Sequence, residues 1–339
     1  MHPKFLSLLC CPESRQDLQL NIEIQQENGM VISGTLNTPD GRYSYPIIDG
    51  CPRFVAVEGY AASFGREWEK FPQVQFEKTN QAGPMAGHTK KMFHTMTAWS
   101  EQELCGKIVV EFGCGAGRFI DVLRRQEALV VGLEISRAAD VARKNFENDP
   151  DVLIVQGDVL QPPFRKNVMD YGYSIGVFHH TPVPEKGVSN LFSCVKPGGK
   201  VCVGVYQEGK DGYGSPAVFW WRTFFNDLQR RKLGDFGLKA ALFYAKVSAY
   251  FFYPLLIVVR KIPWIGRYIA CFLQRYIFVV FNIPDVNWRV LDTFDAITPR
   301  YASVHSAEQV AYWFSIFGGQ NVIQTPWGVT TYSATKIDV

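Results

Sequence analysis

The residues best suited to chemistry lie in one short stretch, Glu111-Phe112-Gly113-Cys114-Gly115-Ala116-Gly117-Arg118-Phe119, directly after the apolar run KIVV. Gly113, Gly115 and Gly117 allow a strand-to-helix turn to pass close against a ligand, where any Cβ would collide. A dinucleotide fingerprint needs a sixth-position glycine, and Arg118 stands there instead. The G-x-G-x-G variant suits a ligand with no pyrophosphate to cradle. The next apolar run ends GLEIS, which places Glu134 and Ile135 about 20 residues beyond Gly113, where an acidic side chain accepts both hydroxyls of a ribose. The run after it ends VQGDVL, so Asp158 and Val159 reach the same edge, with Asp158 able to accept the exocyclic amine of adenine. Each carboxylate alone reads as a cap or a surface charge. Together, at these spacings, they read as a nucleoside site.

Proton removal is the second chemistry in view. Histidine is the usual agent near neutrality, and the candidates are His179 and His180 in YSIGVFHHTP, His305 before the helix SAEQVAYWF, and the carboxylate Asp295. Ser306 reads as an N-cap with Glu308 in the first turn, which puts His305 just outside that helix.

Several elements must hold these residues. Across 106–206, short β-branched runs (KIVVEF, ALVVGL, VLIVQ, YGYSIGV, KVCVGVY) alternate with helical stretches, the βαβ pattern of a parallel sheet. The acidic and glycine positions all fall at strand carboxyl ends, where open α/β sheets bind ligands. On these residues the chain resembles the class I S-adenosylmethionine-dependent methyltransferases, strongly over 106–206 and again over 291–339 for the closing helix and antiparallel strands. The resemblance implies a Rossmann-like, doubly wound seven-stranded α/β sheet with S-adenosylmethionine as cofactor. It implies that Glu111, Gly113, Cys114, Gly115 and Gly117 hold the methionine moiety and that Glu134 and Ile135 hold the ribose. It further implies that Asp158 and Val159 frame adenine, and that Ser174, Ile175 and Gly176 line the cleft beside the sulfonium. SIGVFHHTP is not Asn/Asp-Pro-Pro-Tyr, which disfavours the amino-methylating DNA and glutamine enzymes and is similar to the branch acting on small molecules, quinones and sugars.

The rest of the chain divides by composition. Residues 1–55 carry short strand-like runs (LQLNIEI, MVISGTL) and turn signals, and LLCCPES…GRYSYPIIDGCPRF resembles a small zinc-ribbon domain. Where that family has paired C-x-x-C knuckles, this chain reads Cys11-Pro12-Glu13-Ser14 and Asn37 to Asp40. Three of four thiolates are missing, so the expectation is a metal-free remnant with no metal ligands. Residues 56–105 are read as a helical lead-in; SFGREWEKF, TNQAGPMAG and KKMFHTMTAWSE resemble the lead-in of a bacterial methyltransferase group, which implies closure over the cofactor.

Residues 207–290 form an insertion with 12 Lys/Arg, 5 Asp/Glu and 20 of the 48 aromatic residues. Its segment 216–284 is expected either to lid an apolar acceptor pocket or to lie on an anionic membrane face, with a dimer interface as the plainer reading. The apolar run 240–259 is long enough to span a bilayer, but Lys246 interrupts it and Pro254 is expected to kink it.

The whole chain has 339 residues, 47% of them hydrophobic, and a net charge of only +3, which excludes disorder and gives no polyanion-binding signature. Its 8 cysteines show no disulfide-scaffold spacing. After Lys4, FLSLLCC gives too short an apolar stretch for an export signal, so a cytoplasmic setting is expected, with contact at the inner membrane face through the insertion. The function expected is methyl transfer to a small, lipophilic or membrane-associated acceptor. RNA methylation and non-catalytic cofactor binding are the alternatives, nucleic acid is disfavoured, and a homo-oligomer stays open.

Overall fold

Strand-forming runs rich in Val, Ile and Leu build the centre of the molecule, and their near-continuous apolarity fits strands buried on both faces. In the computed structural model they are β5 (Ile108–Phe112), β6 (Leu129–Glu134), β7 (Val152–Gln156), β8 (Met169–Ile175) and β9 (Val195–Val205). The structure describes residues 1–55, 68–208, 215–230, 234–326 and 330–338. The first part of the lead-in, including Ser63 to Glu67, and the cations Arg231 and Lys232 lie outside the described residues.

These five strands are parallel, and two more, β10 (Gly319–Gln324) and β11 (Thr330–Lys336), close the sheet as an antiparallel hairpin. The order is β10-β11-β9-β8-β5-β6-β7. Strand order reverses beside β5, and such a switch point opens a crevice at the carboxyl edge. This is the Rossmann-like fold of class I methyltransferases.

Four strands precede the large sheet: β1 (Gln19–Gln25), β2 (Val31–Asn37), β3 (Ser44–Ile48) and β4 (Cys51–Pro52), paired antiparallel in sequence order. They do not stand apart from it. Phe54 donates its N–H to the Gln156 carbonyl at 2.8 Å, and the Arg15 guanidinium donates to the Pro162 carbonyl at 3.0 Å. Met1, Phe5, Leu9 and Ile47 share one buried cluster with Val131, Leu153 and Phe164 of the large sheet's surroundings. At the knuckle position, the Cys11 thiol lies 3.1 Å from the Tyr45 hydroxyl, and Tyr45 in turn donates to Glu13.

The opposite face of the large sheet is covered by the helix His88–Thr97, through Phe93 and Met96. The insertion folds as helices Pro216–Leu228, Gly234–Val247, Tyr253–Arg260 and Gly266–Leu273. One helix, Val286–Ile297, runs across the position expected to divide the insertion from the closing segment. Asp285 fixes its start by accepting the Trp288 N–H at 3.0 Å. Pro254 stands directly after a π-turn over Ser248–Phe252, in the first turn of Tyr253–Arg260, so the helical path is irregular at the proline and continues beyond it to Arg260.

Candidate functional site

The glycine turn is held from several sides before any ligand is considered. Gly113 and Cys114 both donate to the Leu133 carbonyl, at 2.7 and 3.1 Å, and Asn145 donates to the Ala116 carbonyl at 2.9 Å. Gly113 (φ +79°) and Gly115 (φ +52°) occupy the left-handed region. A Cβ on Gly113 would stand 2.4 Å from the Val177 side chain, and one on Gly115 would stand 2.9 Å from the Trp68 indole nitrogen. The turn is therefore a cradle that side chains would fill.

Glu134 has a second duty that the sequence did not reveal. It accepts the Gly115 N–H at 3.0 Å through one oxygen, and through the other it accepts the Ser136 hydroxyl at 2.7 Å and the Ser136 N–H at 3.0 Å. Each carboxylate oxygen has two lone pairs, so capacity for a ribose hydroxyl remains.

The turn opens onto a cavity of about 490 Å³ at the carboxyl edge of the sheet. Of the expected cofactor residues, Glu111, Gly113, Cys114, Gly115, Glu134, Ile135, Val159, Ile175 and Gly176 line it. Three others do not reach its wall. Gly117 (φ +91°) starts the helix Arg118–Arg124 and packs where a Cβ would meet the Phe146 ring at 2.6 Å, so it serves helix packing. Ser174 is fully buried and donates its hydroxyl to the Phe112 carbonyl at 2.9 Å. Asp158 accepts the Leu160 N–H at 2.8 Å, and this bond shapes the turn after β7.

Glu111 is buried with one carboxylate oxygen lacking a hydrogen-bond partner among the described residues. Burial pushes its carboxyl up to about 8, against the pull of the Tyr173 hydroxyl and the Arg118 guanidinium. A buried acceptor with spare capacity at the mouth of a glycine cradle suits a ligand ammonium. The donor set fits S-adenosylmethionine.

The candidate bases separate in space. His179, His180 and Asp295 line the cavity. His305 does not: its ring lies 2.8 Å from the Ser303 hydroxyl and 3.0 Å from the Gln309 amide oxygen, and its backbone N–H donates to Tyr206. It ties the last helix to the end of β9. His179 accepts the Tyr206 N–H on Nδ1 at 3.3 Å, so its proton sits on Nε2. Burial and the neighbouring His180 hold it well below the usual imidazole value. His180 lies 2.8 Å from the Tyr301 carbonyl through Nδ1, which must donate, and burial lowers its pKa to about 3. Asp295 behaves in the opposite way. Burial and the Asp292 carboxylate one turn earlier push it up to about 7, while Arg118 and Arg222 oppose the shift.

Sequence reasoning missed the wall facing the glycine turn. His88, Met92 and Met96 come from the lead-in helix, and Ile283, Trp288, Leu291 and Asp292 come from the helix Val286–Ile297 and its approach. Trp288 donates its indole N–H to the Val74 carbonyl at 2.7 Å and meets the His88 ring edge-on at 5.3 Å, joining the two segments over the crevice. Leu291, Asp292 and Asp295 recur at helical spacing, a signal that becomes readable only once the helix is known to cross 290.

Residues 110–203 match the family model described as a methyltransferase domain. A sterol 24-C-methyltransferase of Debaryomyces hansenii is 32% identical over 133 residues, covering 35% of this chain and 34% of that protein. A ubiquinone biosynthesis O-methyltransferase of Coxiella burnetii is 27% identical over 150 residues, covering 40% of this chain and 59% of that one. The chain thus spans 34% and 59% of the lengths of these two relatives. Among solved structures, an O-methyltransferase family protein from Burkholderia thailandensis superposes with a TM-score of 0.43 at 12% identity, covering 74% of this chain and 57% of that one. The chain carries a methyltransferase domain, and S-adenosylmethionine is the cofactor of that domain.

Proposed function

We propose that this chain transfers the methyl group of S-adenosylmethionine to a small, apolar or amphiphilic acceptor. The observation that carries this reading is the mixed lining of one cavity: a glycine cradle with buried carboxylates, together with Met92, Met96, Ile283, Trp288, Leu291 and a titratable aspartate. When bound, S-adenosylmethionine would supply an electrophilic methyl group with a neutral thioether as leaving group. Glu111 and the turn from Gly113 to Gly115 would hold its amino-acid end, and Glu134 would hold its ribose. The wall from the lead-in and the helix Val286–Ile297 excludes water and lines up the acceptor, and such positioning supplies much of the acceleration.

Asp295 is the group suited to take the acceptor's proton, because a base with a pKa near 7 is both available and strong enough at neutral pH. His179, neutral and protonated on Nε2, instead offers a donor that orients an acceptor oxygen. The sterol and quinone names of the relatives agree with an apolar acceptor. Incubating the protein with methyl-labelled S-adenosylmethionine and a total lipid extract tests the reading. Label in the solvent-extractable fraction is expected, and label only in added RNA, or no cofactor binding by calorimetry, overturns it.

We read the first 55 residues as a zinc-ribbon-like remnant without its metal. Support comes from the antiparallel strand order and from the Cys11–Tyr45–Glu13 contacts at the knuckle position. Substoichiometric zinc in purified protein is expected; one zinc per chain, lost in Cys11→Ser, contradicts it.

A further inference from the structure

None of the described residues 215–281 lines the cavity. The helices of this segment pack behind the cavity helix Val286–Ile297 and turn a second face outward that is rich in exposed aromatic side chains. Along Pro216–Leu228 the exposed positions are Pro216, Phe219, Trp220, Thr223, Phe224 and Asp227, a single helical stripe whose centre is aromatic. Along the next helix and into the π-turn, Phe236, Lys239, Phe243, Lys246 and Tyr250 are exposed in alternating steps of three and four, so aromatic rings and lysines share one face. Beyond the π-turn the pattern continues through Leu255, Val258 and Ile262 to Trp264, Tyr268 and Phe272. Trp264 is 95% exposed, Tyr268 78%, Trp220 70% and Phe243 69%. An exposed apolar patch of this extent marks an interaction surface.

The inner faces of the same helices are fixed to the protein. The Ser248 hydroxyl donates to the Phe278 carbonyl at 2.6 Å, and the Phe278 N–H donates to the Tyr244 hydroxyl at 3.0 Å. The Trp221 indole donates to the Tyr276 carbonyl at 2.9 Å, and Arg222 donates to the Ala296 carbonyl at 2.9 Å, directly behind Asp295. Val218, Phe225, Ala241 and Ala245 pack with Val290, Phe294 and Ile297 of the cavity helix. The outward aromatics therefore sit on a braced platform.

Charge selects the occupant. Segment 216–284 holds ten Lys/Arg and only two acidic residues, Asp227 and Asp235. Lys239, Lys246, Arg260, Lys261, Arg267 and Arg275 are all exposed among the aromatics. A second copy of this chain would set cation against cation across the contact. An anionic bilayer accepts both features: rings sink to the headgroup level while lysine and arginine stems reach the lipid phosphates. The run Phe236–Arg260, 25 residues long, is also apolar enough to cross a membrane by length and composition. Its Ala241–Tyr244–Ala245–Ser248 face, however, is packed on protein, so only the opposite face is open to lipid.

We infer that the outward face of 216–284 docks peripherally on an anionic lipid surface, with the helix Val286–Ile297 between that surface and the cavity. The inference extends the proposed function, since a platform on lipid puts an apolar acceptor's source beside the cavity that would take it. Its test needs neither cofactor nor acceptor, so its failure is separable from failure of the methyl-transfer reading. The full chain is sedimented with vesicles of equal parts phosphatidylglycerol and phosphatidylcholine, and with phosphatidylcholine alone, at low and high salt. Pelleting with the anionic vesicles at low salt and release at high salt are expected. The double variant Lys239→Glu, Lys246→Glu should weaken pelleting about tenfold or more, since each cation near the surface is removed and reversed. Phe219→Ser with Trp220→Ser should weaken it as well, with the melting temperature of each variant recorded as a folding control. No pelleting at any salt overturns the inference, as does pelleting unchanged in folded variants. Retention through alkaline carbonate overturns it in favour of a spanning helix. A stable dimer that the same aromatic variant splits overturns it in favour of a self-interface.

Discussion

At the residue scale, the proposed function gives Asp295 on the cavity wall the acceptor's proton. A base must be ionised to accept a proton, and Asp295 is protonated below about 7. Activity is therefore expected to rise with pH through about 7 and to level above it. Asp295→Asn should lower kcat by about a hundredfold or more and erase that limb of the pH–rate profile. The same shift has a stability sign. The folded carboxyl titrates above its unfolded value near 3.8, so ionising it disfavours the fold increasingly as pH rises from about 4 to about 7. The melting temperature of Asp295→Asn relative to the native protein should accordingly move in the variant's favour across that window. Glu111 titrates near 8 in the folded chain and would be drawn to its carboxylate by a ligand cation. Cofactor binding at pH 7 should release a proton, read by calorimetry in buffers of different ionisation heat, and Glu111→Gln should abolish the release. Glu134→Ala should lose cofactor affinity and also melt lower, because Glu134 accepts from both Gly115 and Ser136.

At the scale of elements, one helix carries the division between cofactor and acceptor. Val286–Ile297 places Trp288, Leu291, Asp292 and Asp295 on the cavity, and Asp285 caps its start. Asp285→Ala removes the acceptor for the Trp288 N–H and should cost about 1 kcal/mol of stability. Its kinetic signature is a rise in acceptor KM that exceeds any change in cofactor Kd, because the glycine turn lies on a different element. The glycine turn gives the converse. Gly113→Ala brings a Cβ to 2.4 Å from Val177 and should weaken cofactor binding in calorimetry while leaving the acceptor wall in place.

At the scale of the whole molecule, the small sheet and the large sheet share a core. Met1, Phe5 and Leu9 are buried with Val131, Val155 and Phe164. Deleting 1–55 would expose that cluster, so the truncated chain should aggregate, and the full chain should lose both sheets in one calorimetric transition. Two separated transitions, with the small sheet melting first, would refute a shared core. The buried Met1 ammonium, 2.7 Å from the Val31 carbonyl and 2.8 Å from that of Gly50, belongs to the same junction.

The amino-acid sequence alone determined the parallel sheet and the glycine turn, because both rest on local rules: β-branched runs bounded by helices, and glycines where the backbone must turn left-handed against a neighbour. It also placed Glu111 and Glu134, which lie at the carboxyl ends of β5 and β6. Only the tertiary structure decided which titratable groups meet. His305 and Asp158 have side-chain types suited to the site, yet neither lies on the cavity wall: His305 bonds Ser303 and Gln309, and Asp158 shapes the turn after β7 by accepting the Leu160 N–H. Asp295 and Trp288 arrive from more than a hundred residues away through helix packing, which no periodicity within the turn encodes. The tertiary structure also resolved the aromatic insertion into two faces. Its composition is uniform along the chain, but packing buries one side of each helix and leaves the other, with its lysines, at the surface.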